Sequence, residues 1–187
     1  MQIIARTKVF HTIARSDFFR SAYAACRHVP LLGSCLHSLV YHALPDGTRV
    51  WIQVPQGRGK GLWFWPDPRF ELDYLNGDCE PWVQELLHDS LRLGDCFYDV
   101  GAHTGFFSLI AAKFVGVQGT VLAFEPDPEI AAISKANARR NQMRQLKVIE
   151  AAVWSFSGDK RSIGASNGTT QGQTRKRISK SGGRLVT

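Results

Sequence analysis

Cysteine is scarce and scattered. Cys26, Cys35, Cys79 and Cys96 form no C-x-x-C pair and no cluster with histidine at metal-ligand spacing. That excludes a zinc site or a disulfide framework as the organising device, and the expectation is no metal and reduced thiols in a cytoplasmic protein. Long apolar runs are lacking too. The most apolar window, VPLLGSCLHSLVYHAL from Val29 to Leu44, holds a proline, a glycine and two histidines, and falls short of the roughly 20 residues a spanning helix needs. VFHTIARSDFFRSAYAACRH, which follows Arg6 and Lys8, is broken by polar and charged residues, so neither a signal peptide nor membrane association is expected. The formal charge of +7 is no broad basic surface: residues 155 to 187 hold seven cations against Asp159, which leaves the rest of the chain close to neutral. The basic TRKRISK stretch is read as a solvated tail in preference to a nucleic-acid contact.

What is present is globular. A chain of 187 residues, 44% hydrophobic and 21% charged, is long enough for one ordinary domain with a core. Phe10, Ile13, Ala14, Phe18 and Ala22 recur at helical steps, so residues 1 to about 43 read as helical. YHALPDGTRVWIQVP alternates about Asp46-Gly47 and predicts a hairpin with strands near 40–44 and 48–54. QGRGKG follows as a loop, and LWFWPDPRFELDYL is broken by Pro66 and Pro68. Trp63, Phe64 and Trp65 are read as core and hairpin packing in preference to a base-stacking platform. Trp82, Val83, Leu86, Leu87 and Leu91 fall at helical spacing before a glycine stop, Gly94. A βαβαβ pattern then runs through strand 96–100, helix 104–115, strand 120–124, helix 128–141 and strand 146–153, which predicts a parallel sheet. Beyond Val153 the chain turns rich in Gly, Ser, Thr, Gln and basic residues, and loose order is expected. The resulting division is an N-terminal helix and hairpin extension at 1–76, a cofactor-binding part at 77–159 and a basic tail at 160–187.

The chemistry concentrates in YDVGAHTGFF, residues 98–107. In an open parallel sheet, ligands bind beyond the carboxyl ends of the strands, at the first strand-to-helix turn. Asp99 ends the strand, and Gly101 and Gly105 let the backbone pass close to a ligand ahead of a helix N-terminus that favours anions. The helix FFSLIAAKF buries Phe106, Leu109, Ile110, Ala111 and Phe114 and leaves Ser108 and Lys113 for solvent. TVLAFEPDP is a strand that ends in Glu125, 24 residues after Gly101, about the interval at which a carboxylate grips ribose hydroxyls. An adenosine-containing ligand is predicted. A dinucleotide turn would need G-x-G-x-x-G, and here His103 and Phe106 stand where its later glycines would be.

In combination, GDCFYDVGAHTGFFSLIA, VLAFEPDP, NARRN and LKVIEAAVWSFSGD, with NGDCEPW upstream, resemble the FkbM family of class I S-adenosylmethionine-dependent methyltransferases. The likeness is dense from Gly77 to about Asp159. It implies an α/β fold, a Rossmann-like doubly wound parallel sheet of about seven strands with the first central. It implies S-adenosylmethionine as cofactor, with Gly101, Ala102, His103, Thr104 and Gly105 along its methionine and ribose part. Asp99 would face its amino group, Glu125 its ribose diol, and Pro126 with the Glu150–Ala152 segment (Ala151 and Ala152 included) its adenine. Glu80 is a further candidate near the methionine end. The implied activity is O-methylation of a small molecule or sugar hydroxyl, with no catalytic base assigned. GRLVT resembles the first half of a later family segment, so the resemblance implies a domain cut short, with strand 96–100 an edge open to self-association or a partner chain. Three other readings stand beside it: a remnant that binds cofactor without turnover, a nicotinamide-dependent oxidoreductase sharing Glu125, and a nucleic-acid binder acting through the tail.

Overall fold

The computed structural model describes residues 25, 29–45, 47–153, 161–163, 174–175 and 184–186. The chain divides into two compact units, Met1–Val83 and Gln84–Thr187. The helical signals at Phe10, Ile13, Ala14, Phe18 and Ala22, and Asp46 of the expected turn, lie outside the described residues.

In the first unit, helix α1 (Pro30–Ala43) starts with proline in its first turn, where a missing N–H breaks no bond and the fixed φ suits the helix. Val40 and Leu44, four apart, are both buried while residues 41–43 are exposed. Helical period therefore wins over the brief alternation that predicted a strand at 40–44. Leu44 leaves the helix at φ −105, ψ 138, the extended region that Pro45 imposes on the residue before it. The hairpin forms later, between β1 (Ile52–Gln53) and β2 (Trp63–Phe64), antiparallel with Ile52 opposite Phe64. QGRGKG bridges them as predicted: Val54 donates to the carbonyl of Leu62 and Gly61 to that of Val54, at 2.8 and 2.9 Å. Val50, Ile52, Val54, Phe64 and Leu75 form the buried centre, and Trp51 stacks on Trp65 with centroids 5.3 Å apart. The aromatic run thus packs. Asp67 and Arg69 make a buried two-pronged ion pair, closest at 2.9 Å. Helix α2 (Leu72–Asn76) stops at Gly77, φ 76. A side chain there would also collide with Gln56 and Val54.

Helix α3 (Pro81–Ser90) buries only Gln84 and Leu87. Trp82 and Leu86 are 68% and 56% exposed while Val83 and Leu91 are half-buried, so the apolar residues at helical spacing are only partly covered. The second unit then follows the predicted alternation: β3 (Cys96–Val100), α4 (Phe106–Val115), β4 (Thr120–Phe124), α5 (Pro128–Arg140) and β5 (Leu146–Ile149). The three strands form a parallel sheet in the order β3-β4-β5, with Cys96 opposite Thr120 and Val121 opposite Leu146. The fold class expected from the sequence, α/β with a parallel sheet, is the one found. Strand β5 ends four residues before the predicted Val153, because Ala151 N–H turns back to the carbonyl of Ile149 at 2.9 Å. Helix α4 is buried nearly all round, including Ser108, which was expected in solvent. Helix α5 is capped by Asp127, whose side chain accepts from the N–H groups of Glu129 and Ile130, and closes on Arg139 and Arg140; both ends complement the helix dipole. On β3, Tyr98 and Val100 are 60% and 62% exposed.

Within the stretch expected to be loosely ordered, β6 (Arg161–Ile163) pairs antiparallel with β7 (Thr174–Arg175) and β8 (Arg184–Val186). Strands of two or three residues are too short to show a period in sequence. Among the described residues no helix is long and apolar enough to cross a membrane. Cys35, Cys79 and Cys96 form no disulfide, and burial pushes the Cys79 thiol up to about 11, which favours its protonated form.

Candidate cofactor-binding site

The turn between β3 and α4 is assembled by backbone groups. Gly101 and Ala102 both donate to one acceptor, the carbonyl of Phe124 at the end of β4, at 2.9 and 3.0 Å. Gly105 then donates to the carbonyl of Ala102 at 2.8 Å. Gly101, His103 and Gly105 all have positive φ, 82, 50 and 85. Glycine takes that conformation freely, whereas His103 must be held in it. Glu125 supplies the hold: its Oε2 accepts the N–H of His103 and its Oε1 that of Asp127, each at 2.9 Å. The carboxylate is buried yet uses two of about four acceptor positions. The outer side of the turn is open, since a side chain at exposed Gly101 would meet nothing within 4 Å. Helix α4 begins there with no cap from its N-cap residue Gly105, and the backbone N–H of Ser108 in its first turn is taken by Asp99, so the positive end of the helix dipole already faces a carboxylate.

Beneath the turn lies a second layer of polar contacts. Ser108 Oγ donates to Asp99 Oδ2. Burial raises the Asp99 carboxyl above its ordinary range, and the side-chain and backbone bonds from Ser108 oppose that shift. One oxygen of Asp99 is therefore tied to α4, which the expectation of a purely ligand-facing acid did not include. Buried Thr104 has its hydroxyl 3.3 Å from His103 Nδ1, and its carbonyl accepts from Asn137 Nδ2 at 2.8 Å. Ser134 stands directly against Gly105, where any Cβ would collide with its hydroxyl. Sequence reasoning missed Ser108, Ser134 and Asn137. The available signal was polar residues at inward-facing positions of otherwise apolar helix faces.

Of the candidate residues, the structure brings together Asp99, Gly101, Ala102, His103, Thr104, Gly105 and Glu125. Pro126 follows at once, and Ala151 and Ala152 lie half-buried past β5, whose Ile149 carbonyl accepts the N–H of Glu125 at 3.0 Å. Glu80 belongs to the first unit, exposed at φ 42, its carbonyl taking the N–H of Val83. A groove of about 460 Å³ lies elsewhere, lined by Lys135, Arg139, Met143, Arg144, Leu146 and Val148 among others. It shares no residue with the turn and has no acid to hold ribose hydroxyls, so the turn, not the groove, is the candidate site.

Residues 79–155 match the family model for protein-L-isoaspartate(D-aspartate) O-methyltransferase. A protein of Sulfolobus acidocaldarius, named as a probable cobalt-precorrin-6B C(15)-methyltransferase (decarboxylating), is 37% identical over 68 residues, 36% of this chain and 35% of that protein. The chain thus spans about a third of the length of the curated relative it matches. Among solved structures, an S-adenosylmethionine-dependent O-methyltransferase of Thermotoga maritima is similar at 23% identity and TM-score 0.34, covering 37% of this chain and 26% of that one. A protein-L-isoaspartate O-methyltransferase is similar at 21% identity and TM-score 0.37, covering 43% and 31%. From β3 to β5 the chain has the α/β fold of the cofactor-binding half of a class I, S-adenosylmethionine-dependent methyltransferase.

Proposed function

We propose that the Asp99–Gly105 turn and Glu125 bind S-adenosylmethionine, and that the protein transfers its methyl group to oxygen of a small molecule or sugar hydroxyl. The observation that carries the reading is the position of Glu125: one carboxylate closes the glycine turn through His103 and keeps acceptor capacity at the mouth of an open parallel sheet. That donor set fits the cofactor. Glu125 would accept the ribose hydroxyls, the glycine turn ahead of α4 would face the methionine part, and the open side of Gly101 would admit the chain between them. The bound cofactor supplies a methyl group already activated for displacement. The protein's part is then to orient the acceptor and exclude water.

The choice of oxygen rests on the FkbM resemblance of GDCFYDVGAHTGFFSLIA, VLAFEPDP and NARRN. The matched relative is named for methylation at carbon and the family model for an O-methyltransferase. The shared stretch holds the cofactor turn, so the likeness bears on the cofactor more than on the acceptor. A cytoplasmic location and contact through the β3 edge belong to the same proposal.

Calorimetric titration with S-adenosylhomocysteine tests the cofactor reading. The folded wild type binds, and Glu125→Ala loses at least about tenfold in affinity, as expected for hydrogen bonds to a charged group. No binding by the folded wild type overturns the reading. With methyl-labelled S-adenosylmethionine and mixed metabolite pools, label in an alkali-stable ether supports the hydroxyl acceptor. Label released by alkali as methanol marks a carboxylate ester and overturns that acceptor.

A further inference from the structure

Among the described residues, three buried side-chain atoms lack a hydrogen-bond partner: Asn76 Nδ2, Ser134 Oγ and Asn137 Oδ1. Two of the three lie under the same turn. Asn137 is 0% exposed, and its amide splits into a used half and an unused one: Nδ2 donates to the Thr104 carbonyl at 2.8 Å, while Oδ1 is left unsatisfied. A buried acceptor with no donor is destabilising, and an apolar side chain would fill that helix face at less cost. The residue is therefore explained by what its donor does. Carbonyl and N–H of one trans peptide point in opposite directions. Holding the Thr104 carbonyl on α5 aims the next N–H, that of Gly105, at the carbonyl of Ala102, the 2.8 Å bond that closes the turn. Ser134, one turn earlier on α5, walls the other side by filling the space a side chain at Gly105 would take.

Resting on the cofactor reading above, we infer that Asn137 is a positioning residue for S-adenosylmethionine: from the face of α5 that packs behind the turn it sets the turn in its ligand-ready shape without touching the ligand. Glu125 holds the turn at His103 and Asn137 holds it at Thr104, so the peptides between two left-handed residues are gripped from both ends.

The test is S-adenosylhomocysteine affinity of the full chain as wild type, Asn137→Ala and Asn137→Asp, measured from about pH 5 to 8 with thermal unfolding in parallel. Asn137→Ala is expected to lose at least about tenfold in affinity at temperatures where it remains folded. Asn137→Asp supplies a second readout that a merely structural role would not move. Its carboxylic acid, when protonated, can donate to the Thr104 carbonyl as the amide does, and burial raises its pKa. Its affinity relative to wild type is therefore near one at low pH and falls as pH rises, when a carboxylate faces the carbonyl. Equal affinities across the three proteins, or a pH-independent ratio for Asn137→Asp, overturn the inference and leave the cofactor reading standing. Absence of binding by the wild type overturns both.

Discussion

The backbone N–H of His103 and the carboxylate of Glu125, 22 residues apart, are joined at 2.9 Å, so the acid proposed for the ribose also holds the one non-glycine left-handed residue of the turn. Binding and folding of the turn are thereby coupled through a single side chain.

Glu125→Gln separates shape from charge. The amide can accept from only one of the two N–H groups, of His103 and Asp127, that the carboxylate serves, and its own NH2 faces the other. The expected result is a loss of about 1–3 kcal/mol in urea unfolding, together with weaker S-adenosylhomocysteine binding by calorimetry.

Gly105→Ala meets two obstacles, a φ of 85 and the Ser134 hydroxyl. The variant is expected to lose about 1–3 kcal/mol from backbone strain alone, with the clash added. Ser134→Gly in the same chain should recover part of the loss and not all of it, because the dihedral remains. A double-mutant cycle in denaturant measures the coupling.

Asp99 makes stability depend on pH in a defined direction. Its folded pKa is raised above the ordinary 3.8 by burial, so the native state holds its proton to higher pH than the unfolded chain does. The contribution of Asp99 is therefore most favourable below 3.8 and is lost as pH rises through the raised value. Asp99→Asn, which can still accept from Ser108, should gain in melting temperature relative to wild type as pH rises through that window.

Asp67→Ala strips the carboxylate from a buried pair in which both side chains are 7% exposed. Removing one member of such a pair costs about 3–5 kcal/mol. The measurement is chemical unfolding followed by tryptophan fluorescence, for which Trp51 and Trp65 of the same unit are natural reporters. Arg69→Met combined with Asp67→Leu should cost much less than Asp67→Ala alone.

The elements legible in sequence were those with a strong period and clear stops. The βαβαβ run from Cys96 to Ile149 is such a case: apolar strands of four or five residues alternate with helices that end at Gly116 or begin at Asp127-Pro128. The hairpin was misplaced because five residues, 40–44, fit both alternation and the end of a helix, and only the joint burial of Val40 and Leu44 decides between them. The site divides the same way. Gly101, Gly105 and Glu125 advertise themselves by residue type and spacing. Ser108, Ser134 and Asn137 are ordinary helix residues until their neighbours are known.

By itself the sequence determined the order of elements, the glycines that permit a left-handed turn and the acid at the end of the second strand, because each follows from local sterics or a simple period. Tertiary structure alone decided that Glu125 would take the N–H of His103 and that Asn137 would take the carbonyl of Thr104. Those bonds join residues 22 and 33 positions apart. Their geometry depends on how β4 and α5 pack against the turn, which no local pattern encodes.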